Sequence, residues 1–208
     1  MKDYYEKYWA REMPPPATDR DAPKRASILW GLAAKFVTPG ARVVECGSGQ
    51  GDIVAAAEER GYEAVGFEIS DVAISIARRR HGTCEYIRHS AEVIPWPFPD
   101  QSADLVVSFE VIEHLVAPNQ LLKGAFQVLR PGGYLAVTTP YHGLAKNLAL
   151  SIRGFDRHFD VEGEHLRFFT DAALARMFVD AGFVRPRFYH FGRCWSLWSG
   201  VFVWAQKA

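Results

Sequence analysis

Val43-Val44-Glu45-Cys46-Gly47-Ser48-Gly49-Gln50-Gly51 is the stretch on which the reading of this chain turns. A β-branched pair leads into a turn holding three glycines, and a helical pattern starts at Asp52. Glycine lets a backbone turn tightly and lets a ligand approach it closely. A dinucleotide site requires G-x-G-x-x-G, with a helix N-terminus aimed at the pyrophosphate. Here the glycines read G-x-G-x-G, and Asp52 stands where the third dinucleotide glycine belongs. A carboxylate at that helix start repels a pyrophosphate. The spacing therefore points to a ligand that carries no phosphate at this end.

Working outward, strands and helices alternate. Strands are expected at Arg42–Cys46, Ala64–Glu68, Glu85–Arg88, Asp104–Phe109 and Tyr134–Thr139, and two closing strands, possible partners in a hairpin, at Val184–His190 and Gly200–Gln206. Helices are expected over Pro23–Val37, Asp52–Arg60 and up to Arg80 from a Ser70 cap. Two more run from Pro118 to Leu129 and from a Thr170 cap to Ala181. Pro131-Gly132-Gly133 is read as the stop of the Pro118 helix. Arg78, Arg79 and Arg80 suit the negative end of their helix and are read as its last turn, not as a nucleic-acid patch. Residues 1–22 read as an aromatic, proline-rich arm or lid, since Pro14-Pro15-Pro16 excludes an ordinary helix interior. Residues 23–208 read as one α/β domain, in which the irregular 140–169 segment forms a substrate-side insertion. Such alternation implies a mostly parallel sheet with helices on both faces, whose ligands lie at the carboxyl ends of the strands.

Composition sets the outer bounds. The chain has 208 residues, with 24 basic and 24 acidic side chains that cancel. That balance argues against a protein that wraps nucleic-acid backbone, which needs a cationic surplus. No apolar run approaches the ~20 residues that cross a bilayer, and stable membrane insertion is not expected. Cys46, Cys84 and Cys194 are odd in number and widely spaced, without C-x-x-C. They suggest free thiols in a reducing, cytoplasmic setting.

The second strand ends at Glu68, a position from which a carboxylate can accept hydrogen bonds from both ribose hydroxyls of an adenosine. Glu45 adds a second acid near the same pocket. Acidic groups without a phosphate cradle fit a cationic nucleoside, and S-adenosylmethionine has an ammonium, a sulfonium and a ribose.

Four stretches in order resemble the class I S-adenosylmethionine-dependent methyltransferases. They are Glu45–Gly51, Glu68, Asp104–Leu115 and Leu129–Gly133. More loosely, His165–Thr170 and Ala181-Gly182-Phe183 are similar to the ubiquinone-biosynthesis O-methyltransferase type. The resemblance implies a Rossmann-like, doubly wound, seven-stranded sheet, mostly parallel with an antiparallel C-terminal strand. It implies that Gly47, Ser48, Gly49 and Gly51 face the methionine part of the cofactor and that Glu45 works near its ammonium. Glu68 would hold the ribose and Ile69 would pack on the adenine. Where the family has an Asp for the adenine amino group, this chain has Ser90, followed by Ala91 and Glu92; Ser90 could accept that bond or Glu92 could replace the Asp. Phe109, Glu110 and Val111 would line the methionine side, with His114 on the floor. For Glu110 and Glu113 the residues alone also allow a plainer role, as acids opening a short helix.

Methyl transfer from a sulfonium needs little beyond alignment, though a hydroxyl acceptor gains from a base. His142, just past a strand end, and His165 are the candidates. A metal set drawn from His142, Asp156, His158, Asp160 and His165 matches no standard spacing, and no metal is expected. Trp195, Trp198, Phe202 and Trp204 alternate roughly as in a packed strand. The expected function is methyl transfer to a small-molecule acceptor at a hydroxyl oxygen. The alternative is a cofactor-binding partner subunit without catalysis. Neither fold nor cofactor names the acceptor, and oligomeric state is not readable.

Overall fold

Each expected strand forms, and the strands gather into one sheet. The computed structural model describes residues 2–10, 19–153, 165–192 and 197–208. Along the chain run α1 (Lys2–Trp9), α2 (Ala22–Phe36), β1 (Arg42–Cys46), α3 (Asp52–Glu58), β2 (Glu63–Glu68), α4 (Asp71–Arg80), β3 (Glu85–Arg88) and β4 (Ala103–Phe109). After a single 3-10 turn at Ile112–His114 come α5 (Pro118–Val128), β5 (Leu129–Pro140), α6 (Leu144–Arg153), α7 (Asp171–Asp180), β6 (Phe183–Phe191) and β7 (Gly200–Lys207). The strand order is β3-β2-β1-β4-β5-β7-β6. Neighbours pair in parallel from β3 to β5, whereas β7 runs antiparallel to both β5 and β6. The order reverses between β1 and β4, so the crevice of a doubly wound sheet opens above their carboxyl ends.

Alternation along the strands fills two cores, one on each face. Val44, Cys46, Val65, Phe67, Val106, Leu135 and Val137 pack with Leu121, Leu122 and Ala125 of α5 and with Leu174 and Phe178 of α7. Val43, Leu105, Val107 and Ala136 pack with Leu29, Leu32 and Ala33 of α2, with Val54 and Ala57 of α3, and with Ile74 and Ala77 of α4. Phe202 and Trp204 lie in this second core, as their strand alternation implies. Trp195 and Cys194 lie outside the described residues, as do Asp156, His158 and Asp160. Cys46 and Cys84 are free thiols.

The caps form as the sequence indicates. Ser70 Oγ accepts from Ala73 N and Thr170 Oγ1 accepts from Ala173 N, opening α4 and α7. Arg78, Arg79 and Arg80 close α4, and their guanidiniums bond to Tyr86 O, Ser75 Oγ and Gln50 Oε1. Three elements depart from expectation. The first residues of the arm form α1. The 140–169 segment is not wholly irregular, because α6 occupies its first third. β5 starts at Leu129 and carries Pro131-Gly132-Gly133 inside it, across an irregularity in its register with β4 between Ala103 and Leu105. No helix among the described residues is long and apolar enough to cross a membrane.

Candidate active site

The glycine turn is bent by conformations that L side chains rarely adopt. Gly47 sits at φ 75° and Gly51 at φ 84°. A Cβ on Gly47 would overlap Val111, and one on Gly51 would overlap the Tyr86 hydroxyl. The turn is also tied to the end of β2, because Gly47 N and Ser48 N both donate to Phe67 O, at 2.8 and 3.1 Å. Ser48 Oγ is buried without a hydrogen-bond partner.

Glu68 stands next to that turn with 7% of its surface exposed. Its Oε1 accepts from Ile69 N at 2.8 Å and Ser70 N at 3.0 Å, and its Oε2 accepts from Gly49 N at 3.1 Å. A carboxylate offers about four lone-pair sites. Three are taken, and the open one lies on Oε2, the oxygen beside the glycine turn. Burial raises the pKa of Glu68, and the three backbone donors pull the other way. Glu45 is more deeply desolvated. Its pKa is pushed well above the usual carboxylate value by burial, which the Val54 backbone donor offsets only in part, and Asp52 and Glu68 push it further. Glu45 Oε2 has no hydrogen-bond partner.

A cavity of about 310 Å³ opens beyond Glu68, lined by Lys2, Ile69, Arg88, His89, Ser90 and Val93. Ile69 and Ser90 stand where the sequence reading puts an adenine. Glu92 does not line this cavity. Its Oε1 accepts from Ala117 N at 2.6 Å, tying the 90s loop to the start of α5. Of the two candidates for the adenine contact, Ser90 lines this cavity and Glu92 does not. Ala91 is buried, and its carbonyl accepts from Trp96 Nε1.

The loop after β4 brings a second group of acids to the crevice. Phe109 packs edge-to-face on Phe202 at 5.6 Å, and Val111 meets Gly47. Glu110 has φ 54°, and its Oε1 accepts from Thr138 Oγ1 at 2.8 Å. Neither Glu110 nor Glu113 opens a regular helix. Glu113 lies in the 3-10 turn, is 0% exposed, and neither of its carboxylate oxygens has a hydrogen-bond partner among the described residues. Burial first, and then the charge of Glu110, hold its pKa well above the usual value. His114 Nε2 lies 3.7 Å from Glu113 Oε1. The His165 ring is 4.9 Å from that of His114.

The two base candidates part company here. His142 is buried, with Nδ1 3.2 Å from Asn147 Oδ1, while Asn147 Nδ2 donates back to His142 O. That reciprocal clamp anchors the start of α6. His165 instead joins Glu113 and His114, because Leu166 N and Arg167 N donate to Glu113 O at 2.9 and 3.0 Å.

Three details went unread in the sequence: the Glu6 anchor of α1, buried Arg25 and the His190 pair. α1 lies over the site: Glu6 accepts from Ser70 Oγ, Asp71 N and Val72 N, Trp9 approaches Gly49, and Tyr5 stands edge-on to His114. Buried Arg25 of α2 pairs with Asp19 and acts electrostatically on Glu110 and Glu113. His190 pairs with Asp171 at 3.1 Å beside a hollow of about 530 Å³ lined by Lys24, Ile28, Phe191 and Trp198. An acid four residues into an aromatic helix, or a lone Arg in an apolar stripe, was the available signal. The argument from Asp52 also weakens, since its exposed carboxylate pairs with Arg80 at 2.9 Å and with His81.

A doubly wound sheet with three positive-φ glycines and a carboxylate at the switch point defines a nucleoside-binding α/β enzyme fold. Residues 9–184 match the family model described as a methyltransferase domain. A probable S-adenosylmethionine-dependent methyltransferase of Mycolicibacterium smegmatis is 38% identical over 104 residues, covering 49% of this chain and 38% of that one. A ubiquinone biosynthesis O-methyltransferase of Pseudomonas fluorescens is 26% identical over 104 residues, 48% of this chain and 44% of the relative. The crystal structure of magnesium protoporphyrin IX methyltransferase from Synechocystis, with bound S-adenosylhomocysteine, superposes with a TM-score of 0.76 at 14% identity, covering 100% of this chain and 98% of that one. The chain belongs to the methyltransferase-domain family, as a class I S-adenosylmethionine-dependent member with that family's Rossmann-like fold. Its matches span less than half the length of these two curated relatives.

The residues present fit the cofactor. The glycine cradle is one that Cβ atoms would fill, and Ser48 Oγ and Glu45 Oε2 are buried polar atoms left for a ligand. Glu68 Oε2, which accepts one backbone bond, keeps a lone pair open to a hydroxyl donor.

Proposed function

We propose that this chain transfers a methyl group from S-adenosylmethionine to a hydroxyl oxygen of a small molecule. The reading is carried by the position of the Glu113–His114–His165 group, whose first two members lie in the loop after β4, where Val111 meets Gly47. When bound, the cofactor supplies a methyl carbon already activated by its sulfonium. Gly47–Gly51 and Glu45 hold the methionine end, Glu68 the ribose, and Ile69 and Ser90 the adenine. With the cofactor bound, an acceptor oxygen would take the methyl carbon, S-adenosylhomocysteine would be left, and the acceptor's proton would be lost beside the Glu113–His114–His165 group, not at His142. Alignment supplies most of the rate. The oxygen acceptor is supported by the O-methyltransferase named among the relatives.

α1 supports a lid that completes the pocket, since it touches the glycine turn, the start of α4 and His114. Calorimetric titration with S-adenosylmethionine and S-adenosylhomocysteine, followed by a screen of hydroxylated acceptors with methyl-labelled cofactor, tests the proposal. Micromolar binding and label in an ether or ester product are expected. Absence of binding refutes the cofactor assignment. Binding with no S-adenosylhomocysteine formed from any acceptor class favours the non-catalytic partner subunit.

A further inference from the structure

We infer that Glu113, His114 and His165 form a binding site for a divalent transition-metal cation, whose open positions take oxygen from the methyl acceptor. The role toward the acceptor rests on the reading above. The cation site itself does not.

One oxygen of Glu113 and one ring nitrogen each from His114 and His165 lie within 4.8 Å of one another. With metal–ligand bonds of about 2.1 Å, tetrahedral ligands stand about 3.4 Å apart. The 3.7 Å between His114 Nε2 and Glu113 Oε1 is already near that value. The third ligand, His165, lies within 4.8 Å of the other two, and its side chain is exposed. Its backbone is held in place through Leu166 N and Arg167 N on Glu113 O.

The second observation is independent of that spacing. Glu113 is wholly buried, and among the described residues neither of its oxygens is within hydrogen-bond geometry of a donor; Thr139 lies near it. An ionised buried carboxylate is expensive unless it is paired or bound to metal. Buried Arg25 is already committed to Asp19, and a second acid, Glu110, sits one turn away bonded to Thr138. With both acids ionised the pocket would carry more negative charge than Arg25 balances, and one divalent ion would offset it. Two imidazoles with a carboxylate suit zinc, iron, cobalt, nickel or manganese better than calcium. Three protein ligands leave a position open, as catalytic sites do. An acceptor oxygen there ionises more readily, and its proton leaves to water. The sequence reading set metal aside after weighing only residues of the 142–165 segment, whereas the fold joins His165 of that segment to two residues of the β4 loop.

The test uses the whole chain stripped of metal with a chelator and desalted. Co²⁺ is titrated by visible absorption and Zn²⁺ by calorimetry, without cofactor or acceptor. One equivalent is expected, with ligand-field bands from nitrogen and oxygen donors. His165→Ala, at an exposed position, is expected to weaken both ions tenfold or more, and Glu113→Gln to do the same. His190→Ala is expected to bind as the parent does. No saturable Co²⁺ or Zn²⁺ binding, or binding unmoved by His165→Ala, overturns the inference, so a Glu113→Gln chain that fails to fold leaves it decidable. Metal binding without turnover refutes only the acceptor role. S-adenosylmethionine binding without metal binding refutes only the cation site.

Discussion

Replacing Glu68 by Gln separates two roles that the structure gives one carboxylate. The substitution is isosteric. Its amide oxygen can keep the Ile69 and Ser70 backbone donors, now at 2.8 and 3.0 Å. Its NH₂ then faces Gly49 N, which donates to Oε2 at 3.1 Å. One buried N–H loses its acceptor, at a cost of about 1–3 kcal/mol. The free lone pair of Oε2 disappears as well. A hydrogen bond to a charged group is worth about 1.5–3 kcal/mol, so the Kd for S-adenosylmethionine is expected to rise by about 10- to 100-fold. Urea denaturation of the apo chain reads the first effect, and calorimetry at a temperature where both proteins are folded reads the second. A stability loss with cofactor affinity unchanged within twofold shows that Glu68 is a brace for the glycine turn and not a ligand. Weakened affinity with full stability refutes the bond to Gly49 instead.

Glu45 sets a pH dependence. Its folded pKa lies well above 4.5, so the native state holds a proton that the unfolded chain releases, and stability from this group is present below about 4.5 and lost as pH rises toward the folded value. Glu45→Gln is expected to flatten that slope, raising apo stability at pH 7–8 and leaving it unchanged near pH 4, while S-adenosylmethionine binds more weakly. Equal denaturation midpoints at pH 8 would refute it. Gly47→Ala meets Val111 at a positive φ and is expected to cost about 2 kcal/mol or more, with Val111→Ala restoring part of the loss in a double-mutant cycle. Glu6→Ala removes the acceptor for Ser70, Asp71 and Val72, and hydrogen exchange over residues 2–9 and 70–72 is expected to speed up about tenfold with the melting of the sheet core unchanged. Asp52→Asn breaks exposed pairs to Arg80 and His81 and is expected to move stability by less than about 1 kcal/mol.

What could be read from the chain was local. β1 and β3 lie where the apolar runs put them, and Ser70 and Thr170 cap as their residue types and the following helical patterns indicate. The glycine turn and Glu68 were legible because one short strand–turn–helix unit contains the first and the end of the next strand fixes the second. α1 has little apolar periodicity of its own. It is held by Glu6 on the start of α4 and by Lys2 on Asp71, contacts between residues more than 60 positions apart. In α6, Leu144, Leu148 and Ile152 repeat at helical spacing but are exposed, and neighbouring histidines and aromatics drew the reading toward a loop.

The β4 loop shows why the chemistry of a site is harder to read than its scaffold. Acids at Glu110 and Glu113 are compatible with a helix start, where the first-turn dipole favours negative charge. That reading needs a helix and water. The structure supplies a three-residue turn instead, with Ile112 and Glu113 fully buried. Once solvent is removed, a carboxylate must find protons, donors or a cation, and among the described residues Glu113 has no hydrogen-bond donor on either oxygen. Burial is a property of the assembled sheet: β5 places Thr138 beside Glu110 and Thr139 beside Glu113, α2 brings Arg25, and the segment leading into α7 brings His165. None of these neighbours is close in sequence to the acids whose ionisation they govern. The same motif on an exposed helix would be a solvated pair of acids. Here burial, and for Glu113 the charge of Glu110 as well, pushes the pKa of both acids up, beside the glycine turn that Val111 touches.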